Sequence, residues 1–291
     1  MSKSNKSNKQ QSSDTKSKSN LLWNLVIAAA VFTMILAGCA LVKSLWEYHE
    51  GSREYDTLAQ AVKKGAGVQN GSDTAGAEEE KRMEEGANSS PDAAEENASS
   101  LQPIVTPFQE IDFAYLQKQN PDTVGWLEIP GTVIDYPIMQ GEDNAYYLTH
   151  TFSRKENKAG SIFAEGINHA DLQDAHTIIY GHNMKNGSMF GTLKRYRDGE
   201  YLKIHPYIYL YTPEHTYKYE IFSCYEVAQD SPVYTVWYEG DEAFGDFVKQ
   251  LQKSSIHNTD VSVSGEDKII TLSTCVSIET NRFVVHARRI K

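Results

Sequence analysis

A run of 22 residues without a charge, Leu21 to Val42 (LLWNLVIAAAVFTMILAGCALV), divides the 291-residue chain into unequal parts. Asn24 is its one strongly polar side chain. At about 1.5 Å per residue, a helix of this length reaches about 33 Å, enough for a hydrocarbon core of about 30 Å. Ahead of it, residues 1–20 form a basic tail with five lysines (Lys3, Lys6, Lys9, Lys16, Lys18) against one Asp14. Positive charge on that side keeps it in the cytoplasm, so everything after Val42 is expected outside a single-pass anchor. Trp23 and Trp46 stand near the two ends, where aromatic anchors are expected.

Two other readings of the segment stay open. One is a cleaved signal peptide, although no A-x-A site follows. The other is a lipoprotein signal, with Leu36-Ala37-Gly38-Cys39 in the form of a lipobox and Cys39 as the lipidated residue. All three put the C-terminal part on the outer side of the membrane.

Residues 43–100 read as an acidic disordered stalk, in which 43–60 can continue the helix or form a short amphipathic one. From Gly71 to Ser100 nine acids stand against two bases, with hardly an apolar side chain larger than alanine. Such a segment cannot bury enough surface to offset its ordering entropy. The stalk supplies much of the net charge of −11, which argues against nucleic acid as a partner.

From residue 101 to 291 the pattern changes to many short β-type runs. Strands are predicted at 124–129, 133–139, 161–164, 177–180, 207–211, 217–227, 268–272 and 283–288. Helices are predicted at 108–119 and 241–253, the second from Phe244, Phe247, Val248 and Leu251 on one face, with a short helix or turn at 144–148. Many strands with few helices imply a mainly β fold, a closed or nearly closed barrel with helices at its ends.

Three residues at strand ends carry chemistry. Ile269-Ile270-Thr271-Leu272-Ser273-Thr274-Cys275 delivers a thiol at its tip. Thr177-Ile178-Ile179-Tyr180-Gly181-His182-Asn183 ends in a Gly-His-Asn turn, and Arg282 opens Phe283-Val284-Val285-His286-Ala287. A thiol near its usual pKa of about 8.5 is a few per cent thiolate at neutral pH, and a nearby imidazole and guanidinium raise that fraction. The thiolate attacks a carbonyl, the imidazole moves the proton, and the guanidinium, which keeps its charge, stabilises an oxyanion or clamps substrate. Cys224 sits in a strand-like run and reads as core filler, and a Cys224–Cys275 disulfide is neither suggested nor excluded. The other histidines show no ligand spacing, and His286, alternating with apolar residues, reads as facing solvent. No cofactor or metal site, calcium included, is read from the sequence.

Thr271-Leu272-Ser273-Thr274-Cys275, Arg282 before Phe-Val-Val-His-Ala, and Tyr180-Gly181-His182-Asn183-Met184 resemble the sortases, and the Leu-Ser-Thr-Cys form resembles class B. So do Gly125-Trp126-Leu127, Ile134-Asp135-Tyr136-Pro137-Ile138, Asp143 to Leu148 and Gly187-Ser188-Met189-Phe190, in order over residues 105–291. The resemblance implies an eight-stranded sortase-type β-barrel with N-terminal helices, one helix before the catalytic strand, and a membrane-anchored enzyme on a Gram-positive surface. It implies a transpeptidase that cuts the C-terminal sorting signal of surface proteins after Thr. The acyl group rests on Cys275 and passes to an amine of a peptidoglycan precursor of the lipid II type. The family's roles fall on Cys275 as nucleophile, His182 as general acid/base and Arg282 as stabiliser, with Ser273, Thr274, Asn183 and Tyr180 on the substrate. The alternatives are an extracellular cysteine protease that only hydrolyses and a pilin-polymerising sortase. The link Val276 to Asn281 is short for the class.

Overall fold

In β3 (Thr123–Glu128) and β4 (Asp135–Met139) nearly every side chain is buried, so these strands are covered on both faces. The same holds for β5 (Ile162–Ala164), β6 (His176–His182) and β7 (Tyr207–Tyr211); β8 (Thr216–Ala228) and β10 (Asn281–Arg289) are buried in their middles and open toward their ends, and β9 spans Ile269–Cys275. The computed structural model describes residues 7–64, 102–275 and 281–291, with the backbone alone for Cys275, Lys64 and part of the helix Ser7–Val62. The eight strands close into one barrel in the order β10-β8-β7-β3-β4-β5-β6-β9. Closure leaves no free sheet edge. β4 with β5 and β6 with β9 are parallel pairs, and the others are antiparallel.

One face of β9 and β10 is filled by the barrel interior. The other is covered by the helix Gly240–Lys253, whose Phe244, Val248 and Leu251 pack with Phe222, Val227, Val233, Ile269 and Val284. That is why Phe283 to Ala287 are all buried and the strand reads as a continuous apolar run. His286, expected to face solvent, is corrected by this cover: it is 0% exposed.

The predicted helix at 108–119 begins later, at Phe113, where the Asp112 carboxylate accepts the Tyr115 N–H at 2.9 Å. The residues before it are used otherwise. The Phe108 ring stands edge-on to Tyr209 with centroids 5.0 Å apart, and β2 (Glu110–Ile111) pairs antiparallel with β1 (Lys63–Lys64). A 3-10 turn at Leu193–Arg197 and a helix at Gly199–Ile204 were not visible in the sequence pattern.

The chain forms two compact units, residues 1–50 and 51–291. The boundary expected at 101 is therefore moved: residues 51–64 belong to the barrel unit. In the last turns of the helix Ser7–Val62, Tyr55, Leu58 and Val62 share one face and are 2%, 7% and 0% exposed. The Tyr55 hydroxyl donates to Gly160 O at 2.8 Å and accepts the Phe152 N–H at 3.2 Å. Lys63 Nζ reaches Asp135 Oδ2 at 2.5 Å, and Trp126 Nε1 donates to Asp135 Oδ1 at 2.7 Å. The rest of the predicted stalk, 65–100, lies outside the described residues.

Among the described residues no helix is long and apolar enough to cross a membrane. The predicted span 21–42 falls within the helix Ser7–Val62, and its Leu21, Leu22, Leu25, Val26 and Leu41 side chains lie outside the described ones. Ile27, Val31, Phe32, Met34, Ile35, Leu36 and Val42 are all exposed.

Candidate active site

The parallel pairing of β6 with β9 runs residue against residue to its end, where His182 is the register partner of Cys275. Neighbouring strands lie about 4.8 Å apart, so the two backbones meet at adjacent strand tips. β10 joins from the other side. Its antiparallel register with β9 starts at Val284 against Ser273. Two more residues on each strand bring Arg282 level with Cys275. Two bonds hold that approach: Phe283 N–H donates to Thr274 Oγ1 at 2.9 Å, and Arg282 Nη1 donates to Thr274 O at 3.2 Å. Residues 276–280 lie outside the described residues.

His182 is half-buried and its ring is oriented. Nε2 lies 2.6 Å from Leu148 O. A carbonyl oxygen only accepts, so Nε2 carries hydrogen and the neutral ring keeps its basic lone pair on Nδ1. The main chain is fixed as well: Phe190 N–H donates to His182 O at 3.0 Å. Gly181 permits this packing, since a Cβ there would stand 2.4 Å from Ile162 Cδ1 and 2.8 Å from the Phe190 ring.

Leu148 O is itself positioned. It leaves the helix Tyr146–Thr149, and Gly160 lies against that turn with φ +56°. A Cβ at Gly160 would stand 2.5 Å from Tyr147 O and 2.6 Å from Leu148 O. Ser161 N–H donates to Tyr147 O at 2.9 Å, and the Tyr55 hydroxyl holds Gly160 O. A backbone carbonyl has no residue signature, so sequence reasoning missed this acceptor.

Of the four residues expected on the substrate, Asn183 is exposed beyond the end of β6, in an isolated bridge with Met189. Tyr180 is half-buried and donates its hydroxyl to Glu165 Oε2 at 2.8 Å. Its ring stacks toward Tyr234, centroids 6.2 Å apart. Ser273 and Thr274 are 0% and 2% exposed and carry internal bonds, Ser273 Oγ to the Tyr234 hydroxyl at 3.0 Å and Thr274 Oγ1 to the β10 backbone. Tyr234, in the 3-10 turn Pro232–Tyr234, joins the site from the segment Ser231–Gly240, which the sequence reading places along the substrate groove.

Cys224 is a free, buried thiol facing Tyr196 O, and burial pushes its pKa up to about 12. It supplies no thiolate at neutral pH.

A thiol residue, an imidazole of fixed tautomer and a guanidinium at three adjacent strand tips suit acyl transfer through a thioester. Residues 127–290 match the sortase domain family. Sortase B of Listeria monocytogenes is 42% identical over 178 residues, 60% of this chain and 72% of that protein. The crystal structure of B. anthracis sortase B in complex with AAEK1 matches with a TM-score of 0.65 at 30% identity, covering 85% of this chain and 99% of that one. A Staphylococcus aureus sortase B–substrate complex matches with a TM-score of 0.60 at 34% identity, over 62% and 84% of the two chains. The chain belongs to the sortase family, in class B. It is a sortase-type cysteine transpeptidase.

Proposed function

We propose that this transpeptidase is anchored by residues 21–42 with its barrel on the outer face of the membrane. There it cleaves the C-terminal sorting signal of surface proteins after a Thr and joins the product to an amine of a peptidoglycan precursor. The observation that carries the reading is the register of Cys275 with His182 across β6 and β9, with Arg282 level on β10. The exposed apolar side chains between Ile27 and Val42, and the five lysines ahead of them, support the anchor and its orientation.

The chemistry follows from the fixed ring. His182 Nδ1 takes the thiol proton, and the Cys275 thiolate attacks the carbonyl of the scissile peptide. The tetrahedral oxyanion draws on Arg282, whose bond to Thr274 O aims the guanidinium along the β9 tip. Nδ1–H then protonates the departing amine, leaving a thioester on Cys275. The acceptor amine gives its proton to Nδ1, attacks the thioester and releases the thiolate. Leu148 O accepts from Nε2–H throughout and stabilises the imidazolium.

Product analysis tests the reading, using fluorescent sorting peptides with and without oligoglycine or a diamino acid amine. An amide product that replaces hydrolysis as amine rises is expected. Hydrolysis alone with every amine supports a protease instead, and joining to a lysine side chain of a second surface protein supports a pilin-polymerising enzyme. Cys275→Ala is expected to abolish turnover and His182→Ala to lower it at least about 10³-fold. Arg282→Ala is expected to lower it about 10²-fold with the fold retained. Near-wild-type turnover in any of the three refutes its role.

A further inference from the structure

Below the site, under the helix Gly240–Lys253, three side chains that the chemistry does not use form one hydrogen-bonded line. Thr271 Oγ1 lies 2.6 Å from His176 Nε2 and 2.8 Å from His286 Nδ1. His176 Nδ1 lies 2.7 Å from Thr235 O. All three side chains are 0% exposed.

The direction of every hydrogen follows from its last acceptor. Thr235 O only accepts, so His176 Nδ1 is the donor. With that ring neutral, Nε2 accepts, and the one Thr271 hydroxyl hydrogen goes to it. Thr271 Oγ1 must then accept from His286 Nδ1–H. This leaves His286 Nε2 as a bare acceptor, and it is a buried nitrogen with no partner among the described residues. Both rings are neutral for the same reason: burial lowers the His176 pKa to about 4 and holds His286 well below the usual imidazole range.

Such a line is expensive for a core. Two buried imidazoles and one unsatisfied nitrogen cost stability that apolar residues of similar volume would not. The far end of the line shows what it holds. Thr235 follows the turn Pro232–Tyr234, and Thr235 O also accepts the Tyr238 hydroxyl at 2.6 Å. Tyr234 meets Ser273 two residues before Cys275 and stacks toward Tyr180 two residues before His182. Trp237, two residues past Thr235, is 76% exposed.

We infer that His286, Thr271 and His176 form a positioning relay that pins the segment Tyr234–Tyr238 to the barrel, so that Tyr234 and Trp237 stand as one wall of the substrate groove. The inference rests on the proposed reading of the site as a sorting-peptide groove. The relay acts on how substrate is held, not on the thiol.

The test is Thr271→Val, which keeps the shape and removes the hydroxyl, in the full-length chain. KM for a sorting peptide is expected to rise about 3- to 10-fold, the effect of one lost hydrogen bond. The expected kcat stays within about twofold, and the rate of Cys275 alkylation by iodoacetamide, read by peptide mass, is unchanged. Thr271→Ser restores the wild-type KM. Hydrogen exchange is the readout independent of activity: the Tyr234 and Thr235 amides, which bond Ser231 O and Pro232 O, exchange several-fold faster in Thr271→Val. Tyr238→Phe removes the second donor to Thr235 O and is expected to move exchange and KM the same way by less, which keeps a test in hand if Thr271→Val does not fold.

An unchanged KM with unchanged exchange overturns the relay. So does a fall in kcat and alkylation at constant KM, which would place the relay on the nucleophile. If the wild-type chain turns over no sorting peptide, the functional reading fails, and the exchange measurement alone decides whether the relay holds the segment.

Discussion

Replacing Tyr55 by phenylalanine removes one oxygen, and that oxygen is the meeting point of the N-terminal helix and the loop that orients His182. The hydroxyl donates to Gly160 O at 2.8 Å, lies 3.0 Å from Ser161 Oγ and accepts the Phe152 N–H at 3.2 Å. Tyr55 is 2% exposed, so water does not replace what is lost. Ser161 Oγ still reaches His150 O, at 2.8 Å, and is only partly deprived. Phe152 N–H and Gly160 O lose this partner. Each buried group left unsatisfied costs about 1–3 kcal/mol, and relaxation recovers part of it, so about 2–4 kcal/mol is expected. For a unit of this size that is a fall in Tm of roughly 5–12 °C, read by thermal unfolding of the full chain. The ring itself stays, edge-on to Tyr136 with centroids 5.4 Å apart, so no cavity confuses the result. Tyr55→Ala adds that cavity and is expected to fall several degrees further. At a temperature where Tyr55→Phe is still folded, kcat is expected to drop several-fold, because Gly160 backs the Leu148 carbonyl that holds His182. A Tm within about 1 °C of wild type would refute the reasoning, since the helix would then be resting on the barrel without the bonds mattering.

Gly160→Ala forces an L residue into φ +56° and puts a Cβ 2.6 Å from Leu148 O. Left-handed strain of about 1–2 kcal/mol and displacement of the carbonyl are expected to lower kcat/KM more than tenfold, with only a modest loss in Tm. Unchanged kcat/KM would show that the Leu148 bond does not set the working ring. Acid should weaken the fold through its two buried imidazoles. His176 binds its proton at a pH near 6.5 when unfolded but only near 4 when folded, and His286 is displaced in the same direction. The unfolded chain therefore holds more protons between about pH 6.5 and 4, and stability falls as pH drops through that window, by up to roughly 2.7 kcal/mol per unit for two groups. Urea midpoints constant from pH 7 to 5 would contradict both neutral imidazoles. A chain starting at residue 101 loses Tyr55, Leu58 and Val62 and is expected to be markedly less stable than one starting at 51; equal Tm values would return the boundary to 101.

Much of the barrel was legible because short alternating runs separated by Gly, Pro and Asn are what strands look like. The helix Gly240–Lys253 was legible from the spacing of Phe244, Phe247, Val248 and Leu251. The three chemical residues could be proposed because each stood at a strand end. Their meeting could not be read, because β6 and β9 are far apart in sequence and pair in parallel only after β7, β8 and the helix intervene. His286 was misjudged for a physical reason: alternation distinguishes core from solvent only where one face of a strand is open, and here a helix closes the second face. Tyr55, Leu58 and Val62 make a one-sided stripe of only three apolar positions among many charges, a pattern compatible with a helix but silent about what it docks on. Proline at 107 and the cap at Asp112 explain the late start of the helix Phe113–Gln119.

The two-residue pairing of Lys63–Lys64 with Glu110–Ile111 changes the meaning of the acidic stretch between them. Its two ends are fastened side by side to the same body, so it is wired in parallel with the barrel instead of in series. Adding or removing residues there changes the length of a closed loop on the barrel unit and leaves the pairing of β1 with β2 in place. Cutting out residues 70–98 shortens a ~45-residue closure to ~16 and should stabilise the pairing by about 1 kcal/mol of loop entropy while leaving turnover untouched. What the stretch contributes from its composition is negative charge, nine acids against two bases from Gly71 to Ser100, whose effect on charged partners fades with salt over about 10 Å.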